Sequence, residues 1–119
     1  MGEQRPLIAC YIMSNRPHGT LYIGVTANLE ARVQQHRSGE LDGFTKRYGL
    51  QRLVWYERHD LIIDAIKREK ALKRYLRDWK LNLIETINPE WVDLYPTLMG
   101  APETGPLAHL TAHLRPRPM

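Results

Sequence analysis

The chain has 119 residues, a length that suits one domain with one modest core and leaves little room for a second. Its 43% hydrophobic and 25% charged content is that of a folded protein and excludes collagen-like, wholly disordered and membrane-embedded classes. Seventeen Lys and Arg against thirteen Asp and Glu leave a net charge of +4, a balance that attracts polyanions such as nucleic acids at neutral pH.

A single cysteine, Cys10, rules out an intrachain disulfide and a cysteine-based zinc cluster, and points to reducing, cytoplasmic surroundings. Association with the nucleoid agrees with the positive charge. The apolar run over residues 7–13 is too short to span a membrane and lacks a small-residue cleavage pattern behind it. Neither a signal peptide nor a membrane span is expected.

That same run, rich in β-branched and aromatic residues, predicts a first strand, and the turn-forming stretch Ser14, Asn15, Arg16, Pro17, His18, Gly19 follows it. Residues 20–25 predict a second strand, completing an antiparallel hairpin that sets Tyr11 and Tyr22 on neighbouring strands. Thr26 or Asn28 can cap a helix over residues 29–36, with Gly39 ending it. Arg32 and His36, four apart, project from the same face of that helix.

Residues 41–49 are bounded by glycine and carry the adjacent cations Lys46 and Arg47, which predicts a loop or one helical turn. A third strand over residues 50–58 is centred on Leu53, Val54, Trp55 and Tyr56. Asp60 then reads as the cap of the longest helix, residues 61–79, whose apolar stripe comprises Ile62, Ile66, Leu72 and Leu76. A further amphipathic stretch, residues 80–87, ends before Pro89, and Trp91, Leu94 and Tyr95 are expected to dock back on the core.

From Pro96 onward the chain holds five of its eight prolines, two glycines and no clear periodicity. This predicts a folded domain over residues 1–95 and a Pro-rich, mostly disordered tail over residues 96–119. His109 and His113 have the spacing of a helical metal pair, but no Glu stands beside His109 and no helix is expected there.

Glu69 is the most informative single residue by periodicity. A carboxylate within an apolar stripe is costly unless a cation, a metal or hydrogen bonds compensate it. By itself the plainer account is an ion pair with Lys73, Arg68 or another nearby cation. Arg32 with His36, and Tyr11 with Tyr22, have equally plain readings as a solvated helix face and as half-buried strand residues.

Taken in order, these residues resemble the GIY-YIG nuclease superfamily, and closely its small, stand-alone, UvrC-like branch. Cys10-Tyr11-Ile12 stands where the first motif falls, with Cys10 in place of glycine, and Tyr22-Ile23-Gly24 matches the second. Arg32 and His36 follow at the expected helical spacing, while Gly43-Phe44-Thr45-Lys46-Arg47-Tyr48 and Asn88-Pro89-Glu90-Trp91 look like that branch in particular. The resemblance covers residues 7–95 and implies an α/β (α+β) fold, a small three-stranded antiparallel sheet flanked by helices.

The resemblance also implies roles. Glu69 takes the place of the family's single metal-binding carboxylate, most naturally for one Mg²⁺ or Mn²⁺ with water and phosphate oxygens completing the sphere. Arg32 would clamp the phosphate through its planar fork. Tyr11 or Tyr22 would serve as general base, with His36 orienting it or receiving its proton. Asn88 precedes Pro89, whereas many members place an asparagine shortly after that proline.

Substrate contacts are expected from the basic stretch 67–80, above all Lys70, Lys73 and Arg74, and from Lys46 and Arg47. The expected function is a divalent-metal-dependent endonuclease acting on DNA, guided by structure because no separate recognition module is visible, with repair as its setting. The alternative is a catalytically weak or inactive nucleic-acid-binding module of the same fold. The complete set Tyr11, Tyr22, Arg32, His36 and Glu69 favours the enzyme, because a carboxylate beside a phosphate repels it unless a metal intervenes. A protein-interaction adaptor using the Pro-rich tail rests on composition only.

Overall fold

A computed structural model describes residues 6–41 and 43–100. Three strands, β1 (Ala9–Ser14), β2 (Leu21–Thr26) and β3 (Arg52–Arg58), form one antiparallel sheet in the order β2-β1-β3. The helices are α1 (Leu29–Ser38), α2 (Phe44–Arg47), α3 (Ile62–Lys73), α4 (Arg77–Ile87) and α5 (Tyr95–Leu98). This is the three-stranded, helix-flanked α/β arrangement expected from the sequence.

The central position of β1 explains its composition. All six of its residues are buried, because partner strands cover both edges and helices cover both faces. Alternation splits its side chains between two cores. Ala9, Tyr11 and Met13 pack with Leu29 and Val33 of α1 and with Leu50, Leu53, Tyr56 and Leu94. Cys10 and Ile12 pack with Ile23, Val54, Trp55, Leu72 of α3, Ile84 of α4, and Trp91.

Pairing of β1 with β3 slips between Ile12 and Met13, where Ile12 opposes Trp55 and Met13 opposes Leu53. The extra residue of this bulge puts Val54 and Trp55 into the same core, so strict alternation is broken there.

Asn28 caps α1 by accepting from the Ala31 amide at 3.2 Å, and Gly39 closes the helix in the left-handed region at φ 77°. Both ends follow the sequence expectation. The loop with Lys46 and Arg47 contains the single turn α2. Trp91 and Leu94 are buried as expected, and Tyr95 packs against the first core. Pro96 to Leu98, assigned by composition to the tail, belong to the short helix α5. His109, His113 and the remainder of the tail lie outside the described residues.

The long helix expected over residues 61–79 is instead two helices, broken between Lys73 and Arg77. No Pro or Gly marks the break, and Leu76 simply adopts an extended backbone with ψ 154°. A straight helix of that length would run about 28 Å, longer than the ~20 Å of the strands beneath it. Breaking it lets α4 turn back, so that Leu72 and Ile84 enter the same core.

The expected apolar stripe is corrected with it. Leu72 is fully buried, but Ile62 and Leu76 are exposed, and Ala65 takes the other core-facing position. Asp60 does not cap α3; its side chain faces solvent 3.8 Å from Arg58, and Leu61 takes the cap position before Ile62 with no side-chain hydrogen bond.

Candidate active site

Tyr11 stands directly opposite Gly24 in the β1–β2 register, and its ring is completely buried on the α1 side of the sheet. Its hydroxyl lies 2.9 Å from His36 Nε2. Tyr22, two residues before Gly24, shares that face and stays partly exposed; its ring centroid is 6.2 Å from Tyr11 and 5.4 Å from His36. The two strand tyrosines and the α1 histidine therefore form one cluster.

Gly24 makes that cluster possible. A Cβ there would lie 2.6 Å from both Cζ and Oη of Tyr11 and 2.8 Å from Cε1 of Tyr22, closer than any side chain can approach. Glycine at this point of a strand is required by close approach, not by backbone conformation. The sequence displayed it within the second motif, but local patterning carries no sign of which ring fills the space.

Electrostatics set the protonation states. Burial pushes the Tyr11 hydroxyl well above the ordinary tyrosine range, Tyr22 adds to the rise, and Arg32 opposes it through its charge and a hydrogen bond. The phenol is thus held neutral. Burial first, and the Arg32 charge second, depress His36 to about 4. Its Nδ1 is buried with no partner, so the doubly protonated ring would hold an N–H with nothing to bond. His36 is accordingly neutral at pH 7.

Arg32, one helical turn before His36 and half-buried, completes this part of the site. Tyr11, Tyr22, Arg32 and His36, read from the sequence as one set, are brought together.

Glu69 lies on α3, which packs on the other face of the sheet, so the structure does not gather it into the tyrosine, arginine and histidine cluster. Its side chain is 13% exposed and its Oε2 lies 2.6 Å from Lys73 Nζ. The Lys73 ammonium is held charged above the usual lysine range, chiefly by this hydrogen bond and further by the Glu69 charge, while partial burial opposes them. Lys73 lies on α3, which packs against β2. Arg68, the other partner considered for Glu69, bonds to Glu57 at 3.1 Å.

The Glu69 environment fits a divalent ion. The carboxylate is a hard oxygen donor, partly withdrawn from water, and already carries a compensating cation at coordination-like distance. Lys73 is 55% exposed, so its ammonium can leave for solvent when another cation takes its place. Among the described residues, no group of three or more His, Cys, Asp or Glu stands ready to hold a metal, so Glu69 would act as a lone protein carboxylate beside water and phosphate oxygens.

The remaining expected contacts fall elsewhere. Lys70 and Arg74 are exposed, on α3 and just beyond it. Lys46 and Arg47 lie on α2, beside the exposed rings of Phe44 and Tyr48, whose centroids are 4.8 Å apart. Asn88 is structural: its Nδ2 donates to the carbonyls of Val54 and Val92 at 3.1 and 2.9 Å, and its Oδ1 accepts from the Val92 amide at 3.0 Å. Cys10 is packed and unreactive, its thiol pushed up to about 12, first by burial and then by the Glu57 and Glu69 carboxylates.

The model of the GIY-YIG catalytic domain matches residues 7–82, which takes in both tyrosines, Gly24, Arg32, His36 and Glu69. The chain belongs to the GIY-YIG family. It is therefore a nuclease-domain protein, and its family is one of endonucleases.

Its relatives include a UPF0213 protein of Syntrophus aciditrophicus, 42% identical over 72 residues that cover 60% of this chain and 82% of the relative. A UPF0213 protein of Staphylococcus aureus is 37% identical over 67 residues, covering 56% of this chain and 82% of that one. No solved structure matches this GIY-YIG chain. No helix among the described residues is long and apolar enough to cross a membrane.

Proposed function

We propose that this chain is a divalent-metal-dependent endonuclease that hydrolyses phosphodiester bonds in DNA, acting in the cytoplasm on structured DNA of the kind that repair produces. The observation that carries the reading is the Tyr11–His36 hydrogen bond of 2.9 Å beneath Tyr22. A buried phenol, a neutral imidazole and a guanidinium together cost stability, and a purely structural core would replace them with apolar groups.

Tyr22 is the tyrosine assigned to the substrate, because it is partly exposed whereas Tyr11 is sealed. Its hydroxyl first gives its proton to bulk water at the exposed edge of the ring, and the resulting oxygen would take the proton of the attacking water. Tyr11 and His36 are positioning residues: both rings hold the Tyr22 ring from below, and Tyr11 accepts a hydrogen bond from Arg32. Arg32 binds a non-bridging phosphate oxygen and offsets the charge that grows there.

Glu69 would hold one Mg²⁺ or Mn²⁺, which when bound neutralises phosphate charge and eases departure of the leaving oxygen. Lys73 then turns from Glu69 toward the phosphate backbone. Lys70, Arg74, Lys46 and Arg47 add sequence-independent phosphate contacts, in keeping with recognition of shape.

The test is cleavage of labelled single-stranded, duplex, flapped and branched DNA in Mg²⁺ or Mn²⁺, with binding measured in parallel. Glu69→Ala, Arg32→Ala and Tyr22→Phe should each lose about a hundredfold or more in cleavage. Glu69→Ala and Tyr22→Phe should still bind DNA. A wild-type protein that binds these DNAs and cuts none of them would overturn the reading in favour of a binding module.

A further inference from the structure

A second charged feature lies at the turn end of the β1–β2 hairpin. There an open cavity of about 540 Å³ is lined by Arg16, His18, Gly19 and Thr20 of the hairpin loop, by Leu21 of β2 and by Arg77 and Lys80 of α4. Three cations converge from two segments distant in sequence, and no carboxylate lines the cavity. A surface built for solubility alternates its signs; this one does not.

The frame holding these cations is rigid. Arg77 Nη2 donates to the carbonyls of His18 and Gly19, both at 2.8 Å, which ties α4 to the loop. Asn15 Oδ1 accepts from the Thr20 amide at 3.0 Å, and a Cβ on Gly19 would come within 2.1 Å of that oxygen. Of the five N–H donors of a guanidinium, Arg77 commits two to the loop and keeps the others for a ligand. His18 Nε2 is engaged 2.9 Å from Glu85, which also accepts from Trp91 Nε1 at 2.8 Å, so that carboxylate is already occupied.

The cavity adjoins the candidate site along two elements. Leu21 precedes Tyr22 on β2, the edge strand, and Arg77 follows Lys73 by four residues across the break between α3 and α4. A nucleic-acid strand that has one phosphate at Tyr22 and runs along β2 past Leu21 continues to the hairpin end, where these cations stand.

We propose that this cavity is a subsite for a backbone phosphodiester flanking the scissile bond, held by Arg16, Arg77 and Lys80. The proposal rests on the nuclease reading and adds to it a fixed register: the strand is gripped at two phosphates, so the cut falls at a set distance from the second grip.

The test measures binding of a fluorescently labelled flapped DNA duplex, without divalent metal, over a range of NaCl concentrations. The Arg16→Ala/Lys80→Ala variant is compared with wild type, and Arg58→Ala, on the opposite edge strand, serves as control. The double variant should bind about tenfold more weakly, and its slope of log affinity against log salt should be shallower by about one, the value for one lost phosphate contact. Arg58→Ala should leave the slope as it is.

Single methylphosphonate linkages placed on either side of the cut then locate the contact. One position should weaken wild type several-fold and leave the double variant unaffected. An unchanged slope, or equal sensitivity of both proteins at every position, overturns the subsite. Wild-type cleavage with that result leaves the nuclease reading intact; subsite-dependent binding without cleavage does the reverse, and a wild type that does not bind this DNA overturns both.

Discussion

Substituting alanine for Gly24 inserts one methyl group between two tyrosine rings, and the structure allows its cost to be worked out. The new Cβ would begin 2.6 Å from Tyr11 Cζ and Oη, whereas carbon contacts settle near ~3.5–4.0 Å, so the Tyr11 ring must retreat by roughly 1 Å. That ring is completely buried and cannot retreat without disturbing Leu29 and Val33 or its own bond to His36. Overpacking of this kind costs about 1–3 kcal/mol, and losing the hydrogen bond adds about 1 kcal/mol.

Against this stands a gain of about 0.5–1 kcal/mol from removing a strand glycine's excess unfolded freedom. The packing cost wins, leaving a net loss near 2 kcal/mol. For a domain of this size that lowers Tm by on the order of 10 °C. Thermal and urea unfolding followed by circular dichroism measure it, and the same substitution in a Tyr11→Phe background isolates the hydroxyl's share. There the penalty should shrink by about 1 kcal/mol, because the hydrogen bond to His36 is already absent while the clash with the ring carbon remains. An unshifted midpoint for Gly24→Ala, or an identical penalty in both backgrounds, refutes the close-approach account.

Other outcomes follow from the same geometry. His36 has a folded value of about 4 against 6.5 unfolded, so between those limits the unfolded chain binds a proton that the folded one does not. Its contribution is complete above about pH 6.5 and is lost as pH falls toward 4, by about 3 kcal/mol at most, and His36→Gln should flatten that part of a pH-stability curve. Asn88→Ala should cost about 2–4 kcal/mol in urea unfolding, since it strips partners from the Val54 and Val92 carbonyls and the Val92 amide. Its cleavage per folded molecule should match wild type, and a selective loss of cleavage would assign Asn88 a direct part in the chemistry.

Much of the architecture was legible because it is written locally. The strands announce themselves in β-branched and aromatic runs bounded by turn residues, and the ends of α1 in an asparagine cap and a glycine with positive φ. Arg32 and His36 could be placed on one face because helical spacing alone decides it. Glu69 stood out because a carboxylate beside apolar neighbours needs a partner, although spacing could not choose among Lys73, Arg68 and a metal.

What the amino-acid order determined by itself, then, is the three-stranded sheet with its helices, the pairing of two tyrosines on adjacent strands, and the roster of polar groups around them. Only the tertiary structure decided where the long helical segment breaks, since its residues favour helix throughout and the limit is the length of the sheet beneath. It also decided that Tyr11 is sealed while Tyr22 reaches solvent, that Gly24 yields its space to the Tyr11 ring, and that Arg16 meets Arg77 and Lys80. Each of these joins residues far apart in the chain, and their energies arise from packing and desolvation that exist only once the elements are assembled.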